Sequence, residues 1–152
     1  MAVWLSSLKE GLRKSEIAER LGVSPQYVGS TLRAAEAKVS RTLIEIAEAN
    51  RLQVMKVDPK RGILLGYHPL LKRRTVVTYT TRYGVKVWFW YDNPEREIEQ
   101  TVFDEDFLTR SRRYLLAEAE ERGLQLSERD RELPLAELAD VIFRRLIPEL
   151  EA

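Results

Sequence analysis

Ser15-Glu16-Ile17-Ala18-Glu19-Arg20-Leu21-Gly22-Val23-Ser24-Pro25-Gln26-Tyr27-Val28-Gly29-Ser30-Thr31-Leu32-Arg33 is the stretch on which the fold turns. Two helices that cross steeply through a tight turn need particular residues at particular places, and this run supplies them. Ala18 is small where the second helix must come close to the first. Gly22 can take the positive φ that ends a helix. Val23 is apolar and is expected to plug the gap under the turn. Ser24 is placed to cap the next helix, and Pro25 to occupy its first position with φ already set. Ile17, Leu21, Val28 and Leu32 are then expected to point into one small core. The spacing predicts a helix-turn-helix.

From Glu16 to Arg33 the chain resembles the helix-turn-helix of sigma-factor region 4, of the LuxR-type regulators and of the archaeal Tfx-like regulators. These families share an Ile-Ala-x-x-Leu-Gly-Val-Ser core followed by Val and Leu four apart, here Val28 and Leu32. Arg33-Ala34-Ala35-Glu36-Ala37-Lys38-Val39 also resembles the Tfx-like pattern, in which a basic, Ala-rich helix continues past the recognition helix. The quoted residues, Glu16 to Val39, make up about a sixth of the chain. One position departs from it. Those families place Ser or Thr before the second helix, whereas Arg13 stands there, with Lys14 after it. The side-chain cap is lost, and a cation at a helix N-terminus opposes its dipole. Contact with a DNA phosphate would offset that cost.

The resemblance implies that the helix from Pro25 lies in the major groove of double-stranded DNA. Arg13 and Lys14 would then meet phosphate, and Ser24, Gln26, Tyr27, Ser30 and Arg33 would face the duplex. Gln26 could read adenine by a bidentate bond, and Arg33 could read guanine or grip phosphate. Tyr27 and Ser30 could bond phosphate instead. Gly29, lacking a side chain, would let the helix sit close to the groove. The plain alternative for each is an ordinary exposed helix position.

Beyond this module, no turn signal interrupts the chain from Val28 to Ala49 other than Gly29, so one long helix is expected. Leu32, Ala35, Val39, Leu43 and Ile46 recur along it close to a heptad seam. The seam either packs on the chain's own sheet or pairs with a second copy. The homodimer, which would present two recognition helices to a palindromic site, is the preferred reading.

Strand chemistry follows: Val54, Val57, Ile63-Leu64-Leu65, Thr75 to Thr80, and Val85 to Tyr91. Thr81-Arg82-Tyr83-Gly84 reads as a hairpin connection, and Asp58-Pro59-Lys60-Arg61-Gly62 as a second turn. In the last strand Val85, Val87, Phe89 and Tyr91 form one row, and Lys86, Trp88 and Trp90 the other. One account has both rows covered by helices. The other has Trp88, Trp90 and Tyr79 lining a ligand pocket, a base-stacking surface or a partner surface. Lys72-Arg73-Arg74, Arg61 and Arg82 either extend a phosphate footprint or are solvated turns. His68 is expected to be structural, at a strand end.

After Asp92-Asn93-Pro94 the pattern returns to helix: one segment from about Asp104 to Arg122, closed by Gly123, and another opening near Pro134. The fold class expected is α+β. The division expected is a helix-turn-helix domain with an extended third helix over 1–50, and an α+β domain over 51–152, with its sheet in 52–91 and acidic helices in 104–150.

Composition bounds the chemistry. The 152 residues are 44% hydrophobic and 32% charged, with 25 Lys+Arg against 24 Asp+Glu, a formal +1. Position separates these charges. Residues 1–91 hold 16 basic and 7 acidic side chains, a net +9, and residues 92–152 carry a net −8. A basic front joined to an acidic back suits a nucleic-acid module with a separate partner surface. With no Cys and one His, disulfides, thiolate zinc sites and His-based metal clusters are excluded. Asp104-Glu105-Asp106 invites a metal reading, but acidic residues at a helix start complement its dipole, and consecutive residues do not converge on one ion. No catalytic residues, metal or cofactor are expected.

The N-terminus, Met1-Ala2-Val3-Trp4-Leu5, lacks a basic region before a long apolar one, and no apolar run reaches bilayer length, so a cytoplasmic location and no membrane partner are expected. Arg outnumbers Lys 18 to 7, which fits a thermophilic source. The function expected is sequence-specific DNA binding in transcription regulation, with the transcription machinery as a further partner. Its rival is a protein-interaction adaptor with a structural helix-turn-helix and an acidic docking half. An enzyme with carboxylate-bound metal ranks third, since no base, nucleophile or ligand spacing stands out.

Overall fold

A computed structural model describes residues 2–89 and 105–151. The fold is α+β, and the chain divides into two compact units, Met1–Trp90 and Tyr91–Ala152. Residue 50, expected as a domain boundary, lies inside the first unit, because α3, which ends at Ala49, shares its buried core with the sheet that follows.

The first unit opens with α1 (Ala2–Glu10), α2 (Lys14–Leu21) and α3 (Pro25–Ala49). Between α2 and α3, Gly22 takes φ +68°, and Ser24 caps α3 by accepting a hydrogen bond from the Tyr27 amide at 3.1 Å. Ile17, Ala18, Val28 and Leu32 are buried together, as the helix-turn-helix spacing requires. Leu21 and Val23 are not: they are 51% and 36% exposed. The expected plug under the turn is therefore absent. Leu21 is the last residue of α2 and Val23 lies in the turn beyond it, past the point where α1 and α3 close over Ile17 and Ala18.

The sheet is a four-stranded antiparallel meander of β1 (Gln53–Asp58), β2 (Ile63–His68), β3 (Arg73–Thr80) and β4 (Gly84–Phe89), in that spatial order. The β3–β4 hairpin turns through three residues into Gly84 at φ +71°. The β1–β2 turn is closed by the Arg61 amide donating to Asp58 Oδ1 at 3.2 Å, with Gly62 at φ +67°. His68 ends β2, where its Nδ1 accepts from the Leu71 amide at 3.1 Å, a structural role as expected.

The long helix packs on this sheet. Its row Leu32, Ala35, Val39, Leu43 and Ala47 is buried with Leu64 and Val77, while Ile46, Val57, Tyr79, Val85 and Val87 pack at the margin. The heptad seam is thus used within the chain, which removes it as a face for pairing two subunits. A fully buried Leu such as Leu43 contributes roughly 1.5–3 kcal/mol to this packing. Trp4 fastens α1 to the same body. It is 1% exposed, its Nε1 donates to Pro59 O at 3.1 Å, and its ring meets Tyr79 edge-on at 5.7 Å.

In the second unit α4 (Glu105–Glu121) ends at Gly123, φ +68°, where the Leu124 amide returns to Ala119 O. A short helix α5 (Glu128–Arg131) follows, opened by a capping box between Ser127 and Asp130. Then come α6 (Leu135–Leu146), with Leu138, Ile142 and Leu146 on its buried side, and a 3₁₀ turn over Pro148–Glu151. A charged pair between Glu118 and Arg122 is wholly inside. Arg122 Nη1 donates to Glu118 Oε2 at 2.6 Å, both side chains being 1% exposed. Asp104 lies outside the described residues, and α4 begins just after it. No described helix is long and apolar enough to cross a membrane.

Candidate nucleic-acid interface

The expected DNA-facing residues fall at one end of the first unit. Arg13 is the N-cap of α2, with no side-chain cap hydrogen bond, as its residue type implies. Its guanidinium lies 3.9 Å from Glu16 with most of the side chain in solvent, an ion pair of little consequence. Lys14 starts α2. Gln26, Tyr27, Ser30 and Arg33 are all exposed on α3, and Ser24 is exposed while spending its hydroxyl oxygen on the cap.

Two of these cations are brought together. The point where a Cβ would stand on Gly29 lies 3.5 Å from Arg33 Nη1, 3.6 Å from Lys14 Nζ and 3.7 Å from Lys14 Cδ. Lys14 therefore lies across Gly29 from α2, and Arg33 reaches back over it from one turn along α3. Gly29 is buried beneath them, so it does not present bare backbone to a groove. Instead two like charges lie over it, each at ordinary contact distance from where a Cβ would stand. Among the described residues neither Lys14 nor Arg33 has an ion pair or side-chain hydrogen bond of its own.

Around the turn the surface is apolar. Tyr27 is 57% exposed, and it joins Leu21 and Val23 as large side chains left in solvent beside the start of α3. The charge on the sheet is divided between its ends. Arg61 and Arg82 sit on the 59–62 and 81–83 turns, which share the end where Trp4 anchors α1, whereas Lys72 lies in the opposite turn and Arg73 and Arg74 open β3 there.

The aromatic surface expected from Tyr79, Trp88 and Trp90 does not form from its described members. Tyr79 pairs with Val85 and packs with Trp4 on the α3 side. Trp88 pairs with Val76 on the other face, and its Nε1 donates to Thr78 Oγ1 at 2.9 Å. A one-residue difference in strand parity puts the two rings on opposite faces of the sheet. Trp90 lies outside the described residues. Among the described residues no three acidic or His side chains are placed to hold a metal ion.

The residues expected to face DNA end at Arg33. The same exposed side of α3 continues through Ala34, Ala37, Lys38 and Arg41. The helical period alone puts these residues on one side. No family model, curated protein or solved structure matches the chain.

Proposed function

We propose that the chain is a sequence-specific DNA-binding regulator of transcription, whose α3 lies by its first turns in the major groove of duplex DNA. The observation that carries this reading is the convergence of Lys14 and Arg33 over Gly29. Two unpartnered cations held against one backbone position repel each other, and an anion between them relieves that repulsion. A backbone phosphate has the charge and size to do so. Gln26 and Ser30 stand exposed beside this pair, on the helix that would enter the groove, and are the groups with donors and acceptors for base edges. The +9 of residues 1–91 supplies the attractive field. In this reading a homodimer on a palindromic site would join its subunits by a surface other than the α3 seam, and the acidic second unit would meet the transcription machinery.

The test is a gel shift with duplexes selected from a random pool, run across a salt series. Lys14→Ala and Arg33→Ala should each flatten the logarithmic salt slope by about one unit. Gln26→Ala should relax sequence preference while leaving the slope alone. Equal, salt-independent weak binding of all duplexes would refute the reading. Light scattering across concentrations tests the dimer, and a constant monomer mass removes it.

The adaptor reading has one observation of its own, the apolar group Leu21, Val23 and Tyr27 around the turn. It predicts that the chain shifts no duplex and captures a protein partner instead, and that Leu21→Ser and Val23→Ser abolish that capture.

A further inference from the structure

Past Arg33, α3 keeps an exposed side whose composition is not that of an ordinary solvated helix. Successive residues turn by roughly 100° about the axis. Measured from Gln26, Ser30, Arg33 and Ala37 therefore lie within roughly 40° of one line along the helix. Apart from Arg33, whose guanidinium reaches aside over Gly29, this stripe is polar or small. Gly29, covered by Lys14 and Arg33, lies roughly 60° to one side of it. Lys38 and Arg41 lie roughly 60–120° to the other side. The buried row Val28, Leu32, Ala35, Val39 and Leu43 occupies the back.

We infer that Lys38 and Arg41 grip the phosphate backbone on the wall of the major groove opposite the one met by Lys14 and Arg33. The inference rests on the reading of the chain as a DNA binder. The groove is about 12 Å wide and has a phosphate strand along each edge. A helix lying in it needs short or hydrogen-bonding side chains toward the floor and cations toward both edges. The exposed side of α3 has this arrangement: Gln26, Ser30 and Ala37 in the middle, with a basic pair on each flank.

From Gln26 to Arg41 the helix advances by about 22 Å. Over that length a straight helix and a curving groove part company, so the far pair reaches phosphates and no longer bases. Among the described residues Lys38 and Arg41 have no side-chain hydrogen bond or ion pair, and Arg41 makes none with Glu45, one turn on. Glu45 and Glu48 end the basic run, and they mark where the duplex must have left the helix. Ala34 and Ala37 keep the surface between the two pairs low enough for close approach.

The experiment uses the full chain. The double variant K38A/R41A should flatten the logarithmic salt slope by about two units and weaken binding about tenfold or more at moderate salt, with helical circular dichroism unchanged. Ethylation interference should then lose phosphates on one strand, while Lys14→Ala and Arg33→Ala lose phosphates on the other strand of the same groove. Arg51→Gln, which removes the same charge beyond Glu48, should change neither. A double variant with the native slope, or one whose lost phosphates lie on the strand that Lys14 contacts, overturns the inference. If wild-type chain binds no duplex, the DNA-binding reading falls and takes the inference with it. If Lys14→Ala flattens the slope and K38A/R41A does not, the inference alone falls.

Discussion

Replacing Gly29 by Ala separates two explanations of that glycine by the sign of a stability change. Gly29 lies inside α3, is not among the positive-φ residues, and so has no conformational need to be glycine. A glycine in a helix interior costs roughly 0.5–1 kcal/mol relative to alanine, because its backbone loses more freedom on folding. The new methyl would stand 3.5–3.7 Å from Arg33 Nη1 and from Lys14 Nζ and Cδ, ordinary van der Waals distances to the ends of flexible side chains. No steric term opposes the entropic gain. For a unit of about 90 residues this amounts to a rise of roughly 2–8 °C in Tm. Thermal melting followed at 222 nm measures it. DNA affinity should stay within about twofold, since both cations can remain over the methyl. A branched chain is different: Gly29→Leu would wedge Lys14 and Arg33 apart and weaken duplex binding while the helix still forms. A fall in Tm for Gly29→Ala would refute the geometry. Loss of binding with a raised Tm would instead show that the glycine is bare for the sake of groove contact.

Other substitutions probe what holds the frame, each read by urea unfolding. Gly62→Ala should destabilise by about 1–3 kcal/mol, because Gly62 sits at φ +67° and the added carbon would meet Tyr79 O at 3.1 Å and the Trp4 ring at 3.2 Å; a neutral result would mean the turn relaxes freely. Trp4→Phe should cost about 1 kcal/mol through the lost bond to Pro59, and Trp4→Ala about 3–5 kcal/mol. Equal losses for both would assign the effect to the hydrogen bond alone. In the second unit Arg122→Met should cost about 3–5 kcal/mol by removing the guanidinium that contacts the buried Glu118 carboxylate, and adding Glu118→Leu should recover much of that loss. A double variant as unstable as the single one would contradict this.

Local rules made the helix-turn-helix legible, because each slot is decided within a few residues: Gly22 by its φ, Ser24 by the Tyr27 amide, Pro25 by its missing donor. The β1–β2 and β3–β4 hairpins are legible for the same reason, each ending in a turn with its own chemistry, whereas the β2–β3 turn after His68 carried no such signal. Burial is less local. Leu21 and Ile17 are one helical turn apart and look equivalent, yet one is 51% and the other 1% exposed, since what covers them comes from α1 and α3. The seam on α3 has the same ambiguity. A heptad row records that something apolar will cover it and does not record whose; here Leu64 and Val77 of the same chain do. Tyr79 and Trp88 show the third kind of limit. Strand alternation separates residues within one strand, but whether two rings on neighbouring strands share a face depends on register, which exists only after pairing. The buried Glu118–Arg122 pair carried no signal beyond an i, i+4 spacing that usually marks an exposed face.

The charge split and the packing division fall at the same place. The basic excess accumulates through residue 91 and the acidic excess begins beyond it, while the compact units part between Trp90 and Tyr91. A sum near zero over the whole chain therefore describes neither unit. Exposed charges interact weakly beyond about 8 Å at physiological salt, so a polyanion near the surface responds to the charges within that range. For a duplex at the start of α3 these are Arg13, Lys14 and Arg33, with Lys38 and Arg41 further along the same helix. That helix is also the spine of the core: from Val28 to Ala47 its back is buried, over a length of about 29 Å. Its exposed side cannot turn or bend without breaking the packing on Leu64 and Val77. The spacing between the two basic pairs is consequently a property of the folded core. Core substitutions that tilt α3 should alter the DNA footprint before they unfold the chain.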